Sequence, residues 1–225
     1  MKYRWAVFDV DGTLYPPSSM EKMFILYMLG KGILPAFNIL IYFLTAGMKT
    51  LLYGHEEGFK NNKYYLKGLP EKATKRAARQ FVRNTILPDI SPTGVNRIQH
   101  FRKRGYKILV MSGSPDFLTL PLCERLYPDY TVTADTEISH NRFTGLLSGP
   151  HPYGERKKEL LLNLEKKIGI NFLQSVVFAN HHADVAHMKL FGKVVAVNPT
   201  TDLKKTAFEQ GWEMEIWTAP EKKKD

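Results

Sequence analysis

The sequence predicts an α/β fold: a parallel β-sheet with helices on both faces and a helical subdomain inserted after the first strand. Short runs rich in Val, Ile and Phe alternate with longer segments of helical periodicity, which is typical of successive βα units. The apolar runs are continuous, as expected for strands that are buried on both faces. Between about residues 18 and 88 the pattern is helical throughout, which predicts the insertion.

The first strand is predicted at residues 4–9, and the helical segment that follows is broken at GKGILP (30–35) and at KGLPE (67–71). Its last piece, PEKATKRAARQFVRNTILP, has apolar residues at helical spacing and a proline at each end, as a bounded helix should. We therefore assign residues 16–88 to an all-helical cap, and residues 1–15 and 89–225 to the α/β core.

Strands and helices alternate again after Pro92. The later strands are predicted at 106–112, 131–134, 175–179, 193–198 and 213–217. The helices between them are predicted at 93–104, 116–126, 155–168, 183–191 and 202–210. Residues 139–153 are predicted to be rich in turns.

Composition limits the class of protein. The chain has 225 residues, of which 44% are hydrophobic, so it can hold one core with an insertion. A single cysteine, Cys123, excludes an intrachain disulfide framework, and with no secretory signal pattern at the N-terminus we expect a cytoplasmic protein. The net charge of +10 favours anionic partners. No nucleic-acid-binding motif is present, and we expect no nucleic-acid partner.

The most informative motif is FDVDGTL, in which Asp9 and Asp11 follow the first strand directly. Ligands of open α/β sheets bind at the carboxyl ends of the strands. A carboxylate there, aimed by a turn at Gly12, can act as a nucleophile, and a second one beside it can give and take a proton. Two neighbouring acids also attract a divalent cation. An ordinary Asp-Gly turn after a strand is the alternative interpretation.

Later strands also end in polar residues. The sequence Ser112-Gly113-Ser114 follows the second core strand and offers a hydroxyl and backbone N–H groups for an anion. Lys157 lies in the first turns of a predicted helix. Asp184 follows the strand 175–179, where it is also a reasonable residue for the start of a helix.

In this order, FDVDGTL, a helical insertion, VMSGSP, a lysine and a strand with an acidic turn resemble the haloacid dehalogenase-like phosphatases. A closer likeness is to the branch that contains phosphoserine phosphatase, whose helical cap is inserted after the first motif. The stretches GPHPYGERK (149–157) and VAVNP (195–199) are similar to uncharacterised hydrolases of that branch. The resemblance covers about residues 4–217 and implies a Rossmann-like core.

The resemblance implies a phosphomonoester hydrolase acting on a small phosphorylated metabolite or a lipid phosphate. Asp9 would attack phosphorus and become an aspartyl phosphate. Asp11 would protonate the leaving oxygen and then activate water. Ser112, Gly113 and Lys157 would hold the phosphoryl oxygens, and we prefer Lys157 to its neighbour because of the GExK spacing.

The resemblance also implies Mg²⁺, bound by the Asp9 carboxylate, the Asp11 backbone carbonyl and Asn180, with Asp184 supporting the site. The family usually has GDSxxD at the last motif, whereas this chain has ANHHAD (179–184), so that Asn180 replaces an aspartate. An amide oxygen can bind a hard cation but carries no charge.

Three interpretations follow from this replacement. The chain is a working phosphatase with weakened affinity for Mg²⁺, or a protein that binds a phosphorylated ligand without turnover. In the third, the site is adapted to Mn²⁺, Co²⁺ or another divalent metal, with His181 or His182 as a ligand.

The predicted cap is unusually apolar, since residues 23–46 contain one charge, Lys31. A single membrane crossing here would put Asp9 and Lys157 on opposite sides of a bilayer, which argues against a simple span. Two interpretations stay open: two amphipathic helices that pack on each other, or a cap that contacts an anionic membrane surface peripherally. Ser18-Ser19 stands where phosphoserine phosphatases carry a substrate-binding acid, and Glu21 is displaced from that position.

Overall fold

The structure, a computed structural model, describes residues 2–53 and 61–221. Residues 54–60 of the predicted cap lie outside the described part, as do Met1 and residues 222–225.

The core is a six-stranded parallel sheet, as the sequence predicts. The strands in chain order are β1 (Trp5–Asp9), β2 (Lys107–Pro115), β3 (Tyr130–Ala134), β4 (Thr136–Ser139), β5 (Arg142–Leu147), β6 (Val176–Ala179), β7 (Lys193–Val197) and β8 (Glu213–Glu215). The sheet has the order β3-β2-β1-β6-β7-β8 and every pair in it is parallel. This confirms the α/β, Rossmann-like fold and puts β1 near the middle of the sheet.

The segment between β1 and β2 is helical, which confirms the inserted cap. It contains α1 (Met20–Gly30), α2 (Ala36–Tyr53), a 3₁₀ turn (Tyr64–Leu66) and α3 (Glu71–Phe81), followed by a π-helical turn (Val82–Ile86). The breaks at residues 31–35 and 67–70 fall where Gly and Pro residues predict them, whereas the non-helical residues 61–63 were not predicted. The boundaries of the cap at residues 16 and 88 stay a prediction.

The core helices cover both faces of the sheet. They are α4 (Pro92–Lys103), α5 (Asp116–Leu126), α6 (Glu155–Ile168), α7 (Val185–Met188) and α8 (Thr201–Gln210). Alternate residues of β1 enter different apolar clusters, Ala6 and Phe8 on one side and Trp5 and Val7 on the other. The predicted helix 183–191 is wrong in extent, because a 3₁₀ turn at His182–Asp184 takes its start and α7 is a single turn.

The predicted turn-rich stretch 139–153 is also partly wrong, because β4 and β5 form an antiparallel hairpin there. Its two turn residues, His140 and Asn141, have φ of 49° and 59°, the conformation of a tight two-residue hairpin turn. The backbone N–H of Phe143 donates to Leu69 at 3.1 Å, and the N–H of Gly68 donates to Phe143 at 2.8 Å. The hairpin thus ties the cap to the core.

Helix α1 packs into the core that the cap shares with the sheet. Its residues Met20, Phe24 and Met28 are fully buried. The Phe24 ring lies 5.7 Å from the ring of Phe117 on α5 and 5.4 Å from that of Phe81 on α3. The cap therefore packs on helix α5 of the core through α1. Within the described ranges, no helix is both long and apolar enough to cross a bilayer.

Candidate active site

Parallel pairing brings the ends of three strands together. Asp9 at the end of β1 is in register with Met111 of β2, and Phe8 with Phe178 of β6. Ser112 directly follows Met111 and Asn180 lies two residues after Phe178, so these two residues lie at the ends of the strands that flank β1. Asp9, Asp11, Gly113, Lys157, Asn180 and Asp184 line a cavity of about 360 Å³ at this edge.

A tight turn after β1 aims the two aspartates. The N–H of Gly12 donates to the carbonyl of Tyr15, and the N–H of Tyr15 donates to Val10, both at 2.8 Å. Gly12 has φ of +82°, and a Cβ built on it would lie 2.0 Å from the amide nitrogen of Asn180. Both facts require glycine here, and the second shows that the Asn180 side chain packs directly on the turn.

Lys157 joins two carboxylates in the wall of the cavity. Its Nζ donates to Asp9 Oδ1 at 2.7 Å and to Asp184 Oδ1 at 2.8 Å, and all three residues are buried. Lys158, the competing lysine, is 41% exposed at its side chain and lies 3.7 Å from Glu155. The structure therefore brings Lys157, rather than Lys158, to Asp9.

When both carboxyl groups are ionised, the one ammonium group they share leaves this cluster with a net negative charge. Burial raises the pKa of Asp9 to about 7, although Lys157 opposes it, and the charge of Asp184 adds to the rise. Burial acts on Asp184 as well, but there Lys157 and His187 outweigh it and hold the pKa of Asp184 below its ordinary value. The two acids raise the pKa of Lys157 against its own burial, so it stays charged. A further cation would relieve the remaining charge.

Asp11 lies in a different environment. Its Oδ1 accepts the N–H of Met20 at 2.6 Å, and its Oδ2 accepts the hydroxyl of Ser114 at 2.7 Å and that of Ser112 at 3.3 Å. Burial raises the pKa of Asp11 above its ordinary value despite these bonds. A carboxyl group with a raised pKa is suited to donate a proton.

The C-terminal end of β2 differs in detail from expectation. Ser112 is fully buried, its Oγ accepts the N–H of Ser114 at 3.0 Å, and the cavity wall at this point is formed by Gly113 and Ser114. His151 also lines the cavity, with its Nε2 at 2.9 Å from the carbonyl oxygen of Gly113. The sequence analysis assigned no role to Ser114 or His151. Their positions within the motifs VMSGSP and GPHPYGERK could have indicated that they lie at the site.

The cap contributes Glu21 to the cavity wall. Both carboxylate oxygens of Glu21 accept from Nζ of Lys63, at 2.7 and 2.6 Å, and Oε1 also accepts the hydroxyl of Tyr65 at 2.9 Å. The Lys63 side chain is 1% exposed. The charge of Glu21 is thus already balanced within the cap.

The donor set at the cavity suits a hard cation. It offers a carboxylate oxygen of Asp9, the backbone carbonyl of Asp11 and the amide of Asn180, all oxygen donors of the kind that Mg²⁺ prefers. Among residues 2–53 and 61–221 there is no group of three His, Cys, Asp or Glu placed to hold a metal. His182 lines a separate cavity, which disfavours it as a ligand. His181 lines the same cavity as Asp9, and its Nδ1 accepts the N–H of Ala183 at 3.1 Å.

A family model for haloacid dehalogenase-like hydrolases matches residues 6–189, which span β1 to the end of α7. The chain belongs to this family. Within it the chain falls in the branch that resembles phosphoserine phosphatase.

Two proteins that are similar to this haloacid dehalogenase-like hydrolase are named as phosphatases. A histidinol-phosphatase of Neisseria meningitidis is 26% identical over 92% of the chain and 96% of its own length. The phosphoserine phosphatase SerB1 of Mycobacterium tuberculosis is 26% identical over 93% of the chain and 69% of its own length. A solved phosphoserine phosphatase holding an analogue of its phospho-aspartyl intermediate matches with a TM-score of 0.66 at 20% identity, over 96% of this chain and 94% of that one. The last similarity shows the shared fold.

Proposed function

We propose that the protein is a Mg²⁺-dependent phosphomonoester hydrolase that acts through an aspartyl phosphate on Asp9. The observation that carries the proposal is the buried cluster in which Lys157 joins Asp9 and Asp184, with Asp11 across the same cavity. The names of the two relatives, a histidinol-phosphatase and a phosphoserine phosphatase, support phosphoester hydrolysis.

In the first step Asp9 attacks phosphorus. Oδ1 of Asp9 is bound to Lys157, whereas Oδ2 has the more distant partner, Thr13 Oγ1 at 3.4 Å, and is the better placed nucleophile. As the new O–P bond forms, the bond from phosphorus to the ester oxygen breaks. That oxygen receives the proton of Asp11 and leaves as an alcohol.

In the second step a water molecule replaces the alcohol. Asp11, now ionised, takes a proton from the water as its oxygen attacks phosphorus, and the bond between Asp9 and phosphorus breaks. Asp9 is regenerated as a carboxylate, Asp11 is protonated again, and inorganic phosphate is released. Lys157 and the N–H groups near Gly113 would hold the phosphoryl oxygens throughout, as charge stabilisation in phosphoryl transfer requires.

A bound Mg²⁺ would be held by Asp9, the Asp11 carbonyl and Asn180, with Asp184 supporting through Lys157, and would neutralise charge on the phosphoryl group. Because Asn180 supplies no charge, the affinity for the metal would be lower than with a second carboxylate. Mn²⁺ or another divalent metal is admissible at the same oxygen donors.

The cavity limits the substrate to a small phosphorylated group. Its volume of about 360 Å³ is near the lower end of ligand pockets. A small phosphorylated metabolite and the headgroup of a lipid phosphate both meet this limit. A cytoplasmic location stays our prediction, in agreement with a single buried and free cysteine, Cys123.

The competing proposal is a protein that binds a phosphorylated ligand without turnover. The test is release of phosphate from p-nitrophenyl phosphate with Mg²⁺, using wild type and Asp9→Asn. We expect Asp9→Asn to lower kcat roughly a thousandfold or more, because the nucleophile is lost. Asp202→Asn, the same substitution at an exposed site on α8, should not change kcat. Binding of phosphate without any turnover in wild type would establish the competitor instead.

A further inference from the structure

Helix α2 turns its polar side chains toward the protein. Asn38 is 8% exposed, and its Nδ2 donates to the carbonyls of Tyr65 at 3.0 Å and Lys67 at 2.8 Å. About two turns further on, Thr45 accepts a hydrogen bond from Asn62 at 2.9 Å. The inner side of α2 is thus held by hydrogen bonds to residues 62–67, together with apolar contacts of Ile39 and Tyr42 with the main core cluster.

The opposite side of α2 is apolar and exposed. Phe37, Leu40, Leu44, Met48 and Leu51, which we call the outer stripe, follow one another at intervals of three or four residues and lie on one face of the helix. Their exposed fractions run from 54% for Leu40 to 87% for Leu51. Single exposed apolar residues are normal on proteins, but a contiguous row of five marks a surface that binds something apolar.

The exposed apolar surface continues beyond α2. Leu26 and Leu29 on α1 are 52% and 41% exposed, and Ile33 in the connection between the two helices is 39% exposed. Together with the outer stripe they extend the apolar surface over both cap helices.

The charge around this surface is positive. Residues 22–53 contain Lys22, Lys31 and Lys49 and no acidic residue. Residues 16–88 hold eleven basic and four acidic side chains, so the predicted cap carries seven of the ten net positive charges of the chain. A second copy of the cap would meet this surface with the same sign of charge, whereas an anionic lipid surface complements it.

We propose that α2 lies in the interface of an anionic phospholipid bilayer, with the outer stripe among the acyl chains and the neighbouring lysines at the headgroups. At 18 residues the helix is about 27 Å long, and lying flat it would insert its apolar face about 5–10 Å deep. This proposal does not depend on the hydrolase activity, because none of its residues lines the cavity.

The test is co-sedimentation of the full chain with vesicles made of equal parts phosphatidylcholine and phosphatidylglycerol. We expect binding at low salt that weakens as salt screens the charges, and weaker binding to pure phosphatidylcholine. The double variant Leu44→Gln and Met48→Gln should lower the affinity roughly tenfold or more, since the loss of apolar contact is the driving term.

The control is Phe208→Gln, which removes a side chain that is 82% exposed on α8, far along the chain from the cap. It should bind vesicles as wild type does, and circular dichroism should show all variants folded. Absence of wild-type binding to the anionic vesicles at low salt would overturn the proposal. So would a concentration-dependent dimer that the double variant abolishes, because the stripe would then be covered by a second copy.

Discussion

The carboxyl edge of the sheet and the outer stripe of α2 both break the rule that charges are exposed and apolar side chains buried, but in opposite directions. At the sheet edge, Asp9, Lys157 and Asp184 are buried, and Lys157 donates a hydrogen bond to each of the two aspartates. On α2 the apolar residues face outward, and within the described residues nothing covers them. Substitutions at the edge should therefore damage the protein itself, whereas substitutions in the stripe should affect what it binds.

After the loss of the nucleophile in Asp9→Asn, the largest effect is expected for Lys157→Met. The substitution leaves Asp9 and Asp184 buried without their shared cation and removes a positive charge from the phosphoryl site. We expect kcat/KM for p-nitrophenyl phosphate to fall roughly 10²–10³-fold.

Lys158→Met is the matched control, since Lys158 is the next residue but is 41% exposed at its side chain. Its kinetic constants should equal those of wild type. Equal losses for the two variants would show that the distance of 2.7 Å between Lys157 and Asp9 has no catalytic meaning.

The second effect concerns the ion pair between the cap residues Lys63 and Glu21. Lys63→Met should lower the free energy of unfolding by about 2–3 kcal/mol. This is at or below the low end of the loss expected when a buried ion pair is broken, because Glu21 is 19% exposed and keeps its hydrogen bond to Tyr65. Urea unfolding measures this change in stability. Lys75→Met breaks an exposed pair with Glu71 and should change stability by about 0.5 kcal/mol or less.

A smaller effect is expected for Asn180→Asp, which restores a carboxylate beside the Gly12 turn. Calorimetric titration should show Mg²⁺ binding about tenfold tighter, equivalent to about 1.4 kcal/mol. Asn163→Asp adds the same charge on the exposed side of α6 and serves as the control. Identical titration curves for wild type and Asn180→Asp would remove Asn180 from the proposed metal site.

The smallest effect is expected in the outer stripe. Leu44→Gln should change the free energy of unfolding by less than about 0.5 kcal/mol, because the side chain is 59% exposed and loses little packing. Phe24→Ala on α1 should cost about 3–5 kcal/mol, since Phe24 is fully buried between α3 and α5. A comparable loss for both would mean that α2 is packed against the protein by its apolar face.

Local patterns in the sequence predicted most of the fold. Helices α5 and α6 begin and end at the predicted residues, because apolar spacing and flanking Pro and Gly residues fix such boundaries. The hairpin of β4 and β5 escaped prediction, since its strands are short and their pairing with residues 68–71 of the cap joins segments about 70 residues apart. The length of the single-turn helix α7 was overestimated, because the apolar spacing of its sequence continues into residues that are not α-helical in the structure.

For the site, the order of motifs predicted which polar residues meet at one edge of the sheet, because parallel strands bring their carboxyl ends to one edge. Asp9, Asp11, Gly113, Lys157, Asn180 and Asp184 meet in one cavity, as expected. Sequence alone could not show that Ser112 is buried behind Ser114, or that His151 lies against Gly113. These facts depend on how the end of β2 and the loop that carries His151, which are distant in sequence, meet in the fold.

What the sequence determined by itself is the periodic and local part of this protein: the alternation of strands and helices, the turn at Gly12 and the charge of the cap. Tertiary structure alone decided the contacts between distant segments. It chose Lys157 over Lys158, paired Glu21 with Lys63 and turned the polar side of α2 inward. The physical reason is that hydrophobic periodicity states which residues share a helix face, whereas hydrogen-bonding partners elsewhere in the chain decide which face is buried.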